Sequence, residues 1–253
     1  MRKFLLSASA VVGILGATSL AAAAPADTGG LAGKGSLFIS AERVFGLQIN
    51  SIKTERPAAG NTTEKVTYSS TDFGLLYGNP SGVTDIARNP YTLPQIALDY
   101  AVIDSLTIGG SIGFWVGSNT RTTEPGNGSK TENPGPSTNS FKLSPRVGYI
   151  IGVSDSFGIW LRGGFTFFRG ASSSESTGTP KTTSTNSVSG FALNLEPGVI
   201  LMVNQHFGFG ANINVDVPLQ GKFRSENSAS PTVTEYDAKF WNFGLTLGVI
   251  GKI

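Results

Sequence analysis

The chain has 253 residues with 33 Gly, 16 Phe, one His and no Cys, and its 19 Lys+Arg nearly balance its 17 Asp+Glu. The missing cysteine excludes a disulfide framework, a thiolate metal site and a lipid-modified cysteine anchor. Arg2 and Lys3 lie in a segment expected to be removed; without them cations equal anions, so the sequence pI of 8.8 makes no case for a nucleic-acid partner.

Met1-Arg2-Lys3 is a cationic start, Phe4 to Leu20 carries no charge, and Ala21 to Ala24 supply small residues for cleavage. This is the pattern of a secretory signal peptide, expected over residues 1–24 within two residues, for export through the Sec pathway. Pro25 is a poor residue directly after a cut, which points to cleavage after Ala23 or Ala26. Residues 25–35 read as a short N-terminal extension, and 36–253 as one domain. No later stretch has the roughly 18 uninterrupted apolar residues of a transmembrane helix.

In chain order, alternating segments occupy 36–54, 65–77, 93–103, 106–118, 141–153, 156–169, 188–203, 206–219 and 237–250. The longest clean example puts Phe207, Phe209, Ala211, Ile213, Val215, Val217 and Leu219 on one face and Gly208, Gly210, Asn212, Asn214 and Asp216 on the other. A turn pattern recurs between segments: Val102 to Ile108, Val153 to Ile159, Val203 to Phe209, and more weakly Ala41 to Leu47. Its even spacing keeps both flanking strands in one apolar phase. The opposite connections, near 118–140, 171–187 and 220–236, are long, unpatterned and rich in Ser, Thr, Asn, Gly and Pro, and are expected to be mobile external loops.

Alternation alone leaves two architectures. A secreted soluble β-sandwich binding module buries the large face; a barrel in lipid exposes it and turns the small polar face inward. Segment length favours the barrel: about 11 to 14 residues exceeds the 5 to 6 of globular strands and suits a tilted crossing of 9 to 11. Short turns on one side and long loops on the other point the same way. The expected fold is therefore an all-β, antiparallel up-and-down transmembrane β-barrel of 8–10 strands. Splitting 36–54 at Glu42-Arg43-Val44 gives ten, which the even-number rule favours; the split also spares Arg43 a lipid-facing place costing about 2–4 kcal/mol. Eight follows if 36–41 is not a crossing and 65–77 is only an external arm.

His206 lies in a tight turn, away from the long loops, so no Ser–His pair has a candidate; no catalytic residue, cofactor or metal site is expected. On the polar face, Arg146, Arg162 and Glu196 stand at similar distances from their turns on consecutive strands, and Asp99 and Asp216 extend the set. Unpaired buried charge is costly, so these five are candidates for a salt-bridged network filling the lumen. The alternative is a narrow gated channel using the same charges. Eight or ten strands leave no room for a wide aqueous pore. Tyr77, Tyr91, Phe141, Phe167, Phe168, Phe240 and Trp241 are expected in an outer aromatic girdle, and Phe157 and Phe207 in an inner one. Trp115 and Trp160 fall on the small-residue face, either filling the lumen or marking a register shift.

Over residues 36–253 the alternation and loop asymmetry, with the leader before them, resemble the small bacterial outer-membrane β-barrel proteins of the OmpA/OmpX-like group. The resemblance implies a bacterial outer-membrane location, a lipid bilayer and the barrel assembly machinery as partners, and a structural or surface-interaction role through loops whose ligand is unspecified. Such barrels usually end in an aromatic residue, whereas this chain ends Val249-Ile-Gly-Lys-Ile253. On an SDS gel the unboiled outer-membrane fraction should run faster than the boiled one; equal mobility, with the protein in the soluble fraction, would indicate the sandwich.

Overall fold

The computed structural model describes residues 30–58, 62–75, 91, 93–123, 131–176 and 180–253; the leader segment expected at 1–24 and Tyr77 lie outside them. Among the described residues there are nine strands: β1 Leu37–Ala58, β2 Thr62–Leu75, β3 Gln95–Ile103, β4 Leu106–Thr123, β5 Thr131–Gly152, β6 Phe157–Glu175, β7 Thr183–Met202, β8 Phe207–Asn227 and β9 Ser230–Lys252. All pairings are antiparallel: β3 to β9 pair in sequence order, β1 pairs with β3 and with β9, closing an up-and-down barrel, and β2 pairs with β1 alone. The backbone seals this join at its inner end, where Leu37 and Ile253 exchange N–H···O bonds of 2.8 and 2.9 Å.

The wall has eight positions. One flank of β1 meets β9 along its length, while the other meets β3 over Leu37 to Glu42 and β2 over Phe45 to Ala58. Strands β2 and β3 thus stack end to end in one place in the wall. The count falls within the expected range, but the ten favoured above is not reached, because Glu42-Arg43-Val44 is not a turn. It is a bulge: Ala41 pairs with Val249 and Phe45 with Leu247, so three residues of β1 oppose Gly248 alone. Two extra residues leave the alternation in phase. Arg43, at φ 54°, swings inward and avoids the lipid-facing position feared for it.

Side-chain exposure decides between sandwich and barrel. Leu98, Ile108, Val147, Leu161, Leu201, Phe209 and Leu245 are exposed, whereas Asp99, Thr107, Arg146, Arg162, Asn212 and Thr246 are buried. Water outside such a surface would meet its most apolar residues; hydrocarbon suits it. The sandwich reading is overturned.

Three short connections lie at one end. In the turn before β8, Asn204 Oδ1 accepts the N–H groups of His206 and Phe207, each at 2.9 Å; before β6, Ser154 Oγ accepts the Phe157 N–H at 3.1 Å. Much of the long segments at the other end is strand rather than mobile loop. β5 begins at Thr131, β6 runs on to Glu175, and β8 turns tightly into β9 between Asn227 and Ser230. Once begun, an antiparallel ladder satisfies its own backbone, and Ser and Thr pair across it, as Ser173 and Thr185 do at 2.9 Å. Strands β4 to β9, of 18 to 23 residues, are therefore about twice as long as a crossing needs, and the excess forms arms outside the membrane.

Gly248 is required opposite the bulge: a Cβ there would lie 2.4 Å from the Ala41 carbonyl oxygen. Gly248→Ala should destabilise the barrel by about 1–3 kcal/mol, as overpacking does, read as a lower urea midpoint in detergent micelles.

Candidate functional site

Inward-facing side chains fill the lumen in three layers. At the short-turn end Leu31, Phe38, Ile150, Trp160, Ile200, Met202 and Ile250 form an apolar plug. Residues 30–32 make a 3-10 turn whose Leu31 and Ala32 close it from below. Trp160 keeps register with both neighbouring strands, so it fills the lumen and no shift is needed. Its ring lies 5.3 Å from that of Phe38, and its Nε1 donates to Thr107 Oγ1 at 3.3 Å. Gly148 leaves the space: a Cβ there would be 2.5 Å from the indole nitrogen. Trp115 shares the inward phase of β4 nearer the other end, half-buried.

Toward the arms a second plug contains Tyr91, Phe168, Val188, Ala192, Phe223, Ala238 and Phe240. Tyr91, Phe168 and Phe240 were expected in the outer girdle, and all three point inward instead. Strand alternation requires it for two of them: Phe167 and Trp241 already face outward, so Phe168 and Phe240 cannot.

Between the plugs lies a chain of ion pairs. Arg162 stands opposite Glu196 in register, and its Nη2 lies 3.5 Å from Glu196 Oε2. Arg146 donates to Asp99 through Nε and Nη2, at 3.0 and 2.5 Å, to Glu42 at 2.7 and 2.8 Å, and to Glu196 at 3.0 Å. Arg162 also pairs with Glu42. Arg43 reaches Glu196 at 2.6 Å and Asp216 at 3.3 Å, and donates to the Tyr91 carbonyl at 2.9 Å. Asp216 is further held by Asn194 and Asn242, each at 2.8 Å, and by Thr166 at 3.2 Å. All seven charged groups are at most about 5 % exposed.

Arg146, Arg162, Glu196, Asp99 and Asp216, named from sequence, thus meet in one layer. Sequence reasoning missed Glu42, Arg43 and Lys142. The first two sit in the bulge misread as a turn; the missed signal was two adjacent charges on an otherwise alternating segment. Lys142 shares the even-numbered inward face of β5 with Arg146, which made it findable. It is fully buried beside Tyr91, its Nζ 5.8 Å from the ring centre. Lys142 Nζ has no hydrogen-bond partner among the described residues and stands apart from the paired groups. Arg162 ties the layer to the lower plug by stacking 4.5 Å from the Trp160 ring centre.

His206 is exposed in its turn, with Nδ1 3.1 Å from the Lys252 carbonyl, at the end opposite the arms. Paired charge inside a skin of large apolar residues defines the chain as a transmembrane β-barrel of the bacterial outer-membrane type.

No protein-family model and no curated protein sequence matches the chain. Solved structures are similar in architecture. The outer membrane protein OprG from Pseudomonas aeruginosa aligns over 88% of this chain and 98% of its own, at 11% identity and a TM-score of 0.48. Neisserial surface protein A aligns over 87% and 100%, at 11% identity and a TM-score of 0.37. The outer membrane protease OmpT from Escherichia coli aligns over 87% and 97%, at 9% identity and a TM-score of 0.43. At such identities no activity carries over.

Arg146 bridges three carboxylates, so Arg146→Leu should strand them and cost at least about 3–5 kcal/mol. The check is denaturant titration of the refolded barrel. Arg146→Lys should recover only part of the loss, because an ammonium cannot fork across the same oxygens.

Proposed function

We propose that this chain is a non-enzymatic integral outer-membrane protein: a plugged, rigid barrel that carries its extracellular arms as a structural or surface-interaction platform. One observation carries the reading, the ion-paired layer held between two apolar plugs. A hydrated ion crossing the lumen would have to displace both plugs and break charge pairs out of reach of water, each step costing several kcal/mol. The position of His206, solvent-exposed and far from the arms, supports a role without acid–base chemistry at the surface.

Planar-bilayer recording tests this reading. Wild-type protein should show no unitary steps, and removal of residues 122–136 should leave insertion and heat-modifiability intact. Steady conductance in the wild type that changes in Glu196→Ala would replace the plugged platform with the narrow gated channel.

A further inference from the structure

The outer wall carries a groove at the height where its apolar belt ends. This depression of about 370 Å³ lies over β5 to β8. Its floor is aromatic: Phe141, Phe167 and Phe191, with Phe191 stacked at 4.6 Å on Phe167. Its upper edge is cationic. Phe141, Arg169, Ser189 and Lys222 stand in one register row across four adjacent strands, and Phe167 and Phe191 pair one outward step nearer the membrane. The residues alternating with these, Phe168 and Val188, point into the upper plug, so the edge side chains are directed outward.

Neighbouring strands lie about 4.8 Å apart, which puts the Cα atoms of Arg169 and Lys222 about 10 Å apart, with the exposed Ser189 between them. Two long cationic side chains reach across that span to a single tetrahedral anion. The Arg169 side chain makes no ion pair or hydrogen bond among the described residues, although it sits at the rim of an aromatic floor. Lys222 pairs with Glu235 at 2.5 Å, both about half exposed. Such a pair adds little, because water and salt compete for both partners, so it yields readily to a better-placed anion. Cations do not ring the barrel at this height, since β9 presents Asp237 beside Lys222.

We propose that this groove binds a phosphate-bearing, acylated lipid of the outer leaflet, with an acyl chain over Phe141, Phe167 and Phe191 and a headgroup phosphate held by Arg169 and Lys222 across Ser189. The arms mark this as the extracellular side. The floor continues into the lipid-facing belt, so an acyl chain reaches it without leaving the hydrocarbon, and the cations lie where headgroups begin. A guanidinium and an ammonium are the donors that phosphate recognition uses. A soluble phosphate would use the edge and leave the floor uncovered.

The test uses the full barrel reconstituted into phosphatidylcholine vesicles containing a few per cent bisphosphorylated lipid A, or the same lipid with its phosphates removed. After extraction in mild detergent, native mass spectrometry counts the retained lipid. The phosphorylated lipid should remain bound; the dephosphorylated lipid, and the Arg169→Gln/Lys222→Gln variant with either lipid, should retain about tenfold less or lower still. Both substituted positions are exposed, so gel-shift folding should be unchanged, and Phe191→Ala should weaken retention without altering charge. Equal retention by the double variant, or of the dephosphorylated lipid, overturns the proposal. Release of the lipid by millimolar inorganic phosphate also overturns it, making the site one for a soluble anion.

Discussion

The closure of β1 onto β9 is the constraint on which the remaining structure depends. A sheet edge left open in hydrocarbon exposes a row of N–H and C=O groups, each costing several kcal/mol. Pairing from Phe38 to Thr54 of β1 with Lys252 to Ala238 of β9 closes the seam between the first and last strands. Closure at eight wall positions makes a ring just wide enough for side chains to fill. The contents of the lumen are therefore wall residues, and they must satisfy one another.

How they do so follows from dielectric. Charges in a narrow interior lose most of their hydration, which only close ion pairs with further hydrogen bonds repay. Each acid here is multiply held: Asp99 by the fork of Arg146, Glu42 by Arg146, Arg162, Ser40 and Gln95, Asp216 by Arg43, Thr166 and two asparagines. Apolar plugs above and below keep water from weakening those pairs. The bulge at Glu42 and Arg43 serves both ends, since it completes the β1–β9 seam and delivers two charges of opposite sign to the layer.

With the interior occupied, what the molecule offers others lies outside. The belt ends near Trp241 and Phe167, and beyond it the strands continue as polar arms carrying exposed pairs such as Lys222 and Glu235. The hydrogen bond between those two raises the lysine pKa and lowers that of the carboxyl, as expected where each stabilises the other's charged form. The aromatic groove sits at the transition between belt and arms, where a ligand with one apolar and one anionic part meets both.

From sequence alone came the existence and phase of the strands. Phe207 to Leu219 reads as two unlike faces because a strand's side-chain period is two, and the inward positions of Arg146, Arg162, Glu196, Asp99 and Asp216 follow from that phase. The period reports only that two faces differ and is blind to the medium outside; strand length and loop asymmetry pointed the large face at lipid, and the tertiary structure shows that face exposed. The tertiary structure showed that Glu42-Arg43-Val44 is a bulge: two added residues keep the apolar phase on either side, and two adjacent charges are the mark they leave in the sequence. It also turned the expected loops into arms, because a ladder extends by backbone pairing that side-chain hydropathy does not record. Tyr91 was legible as an aromatic at a strand end, yet only closure of the ring gave it an interior to fill.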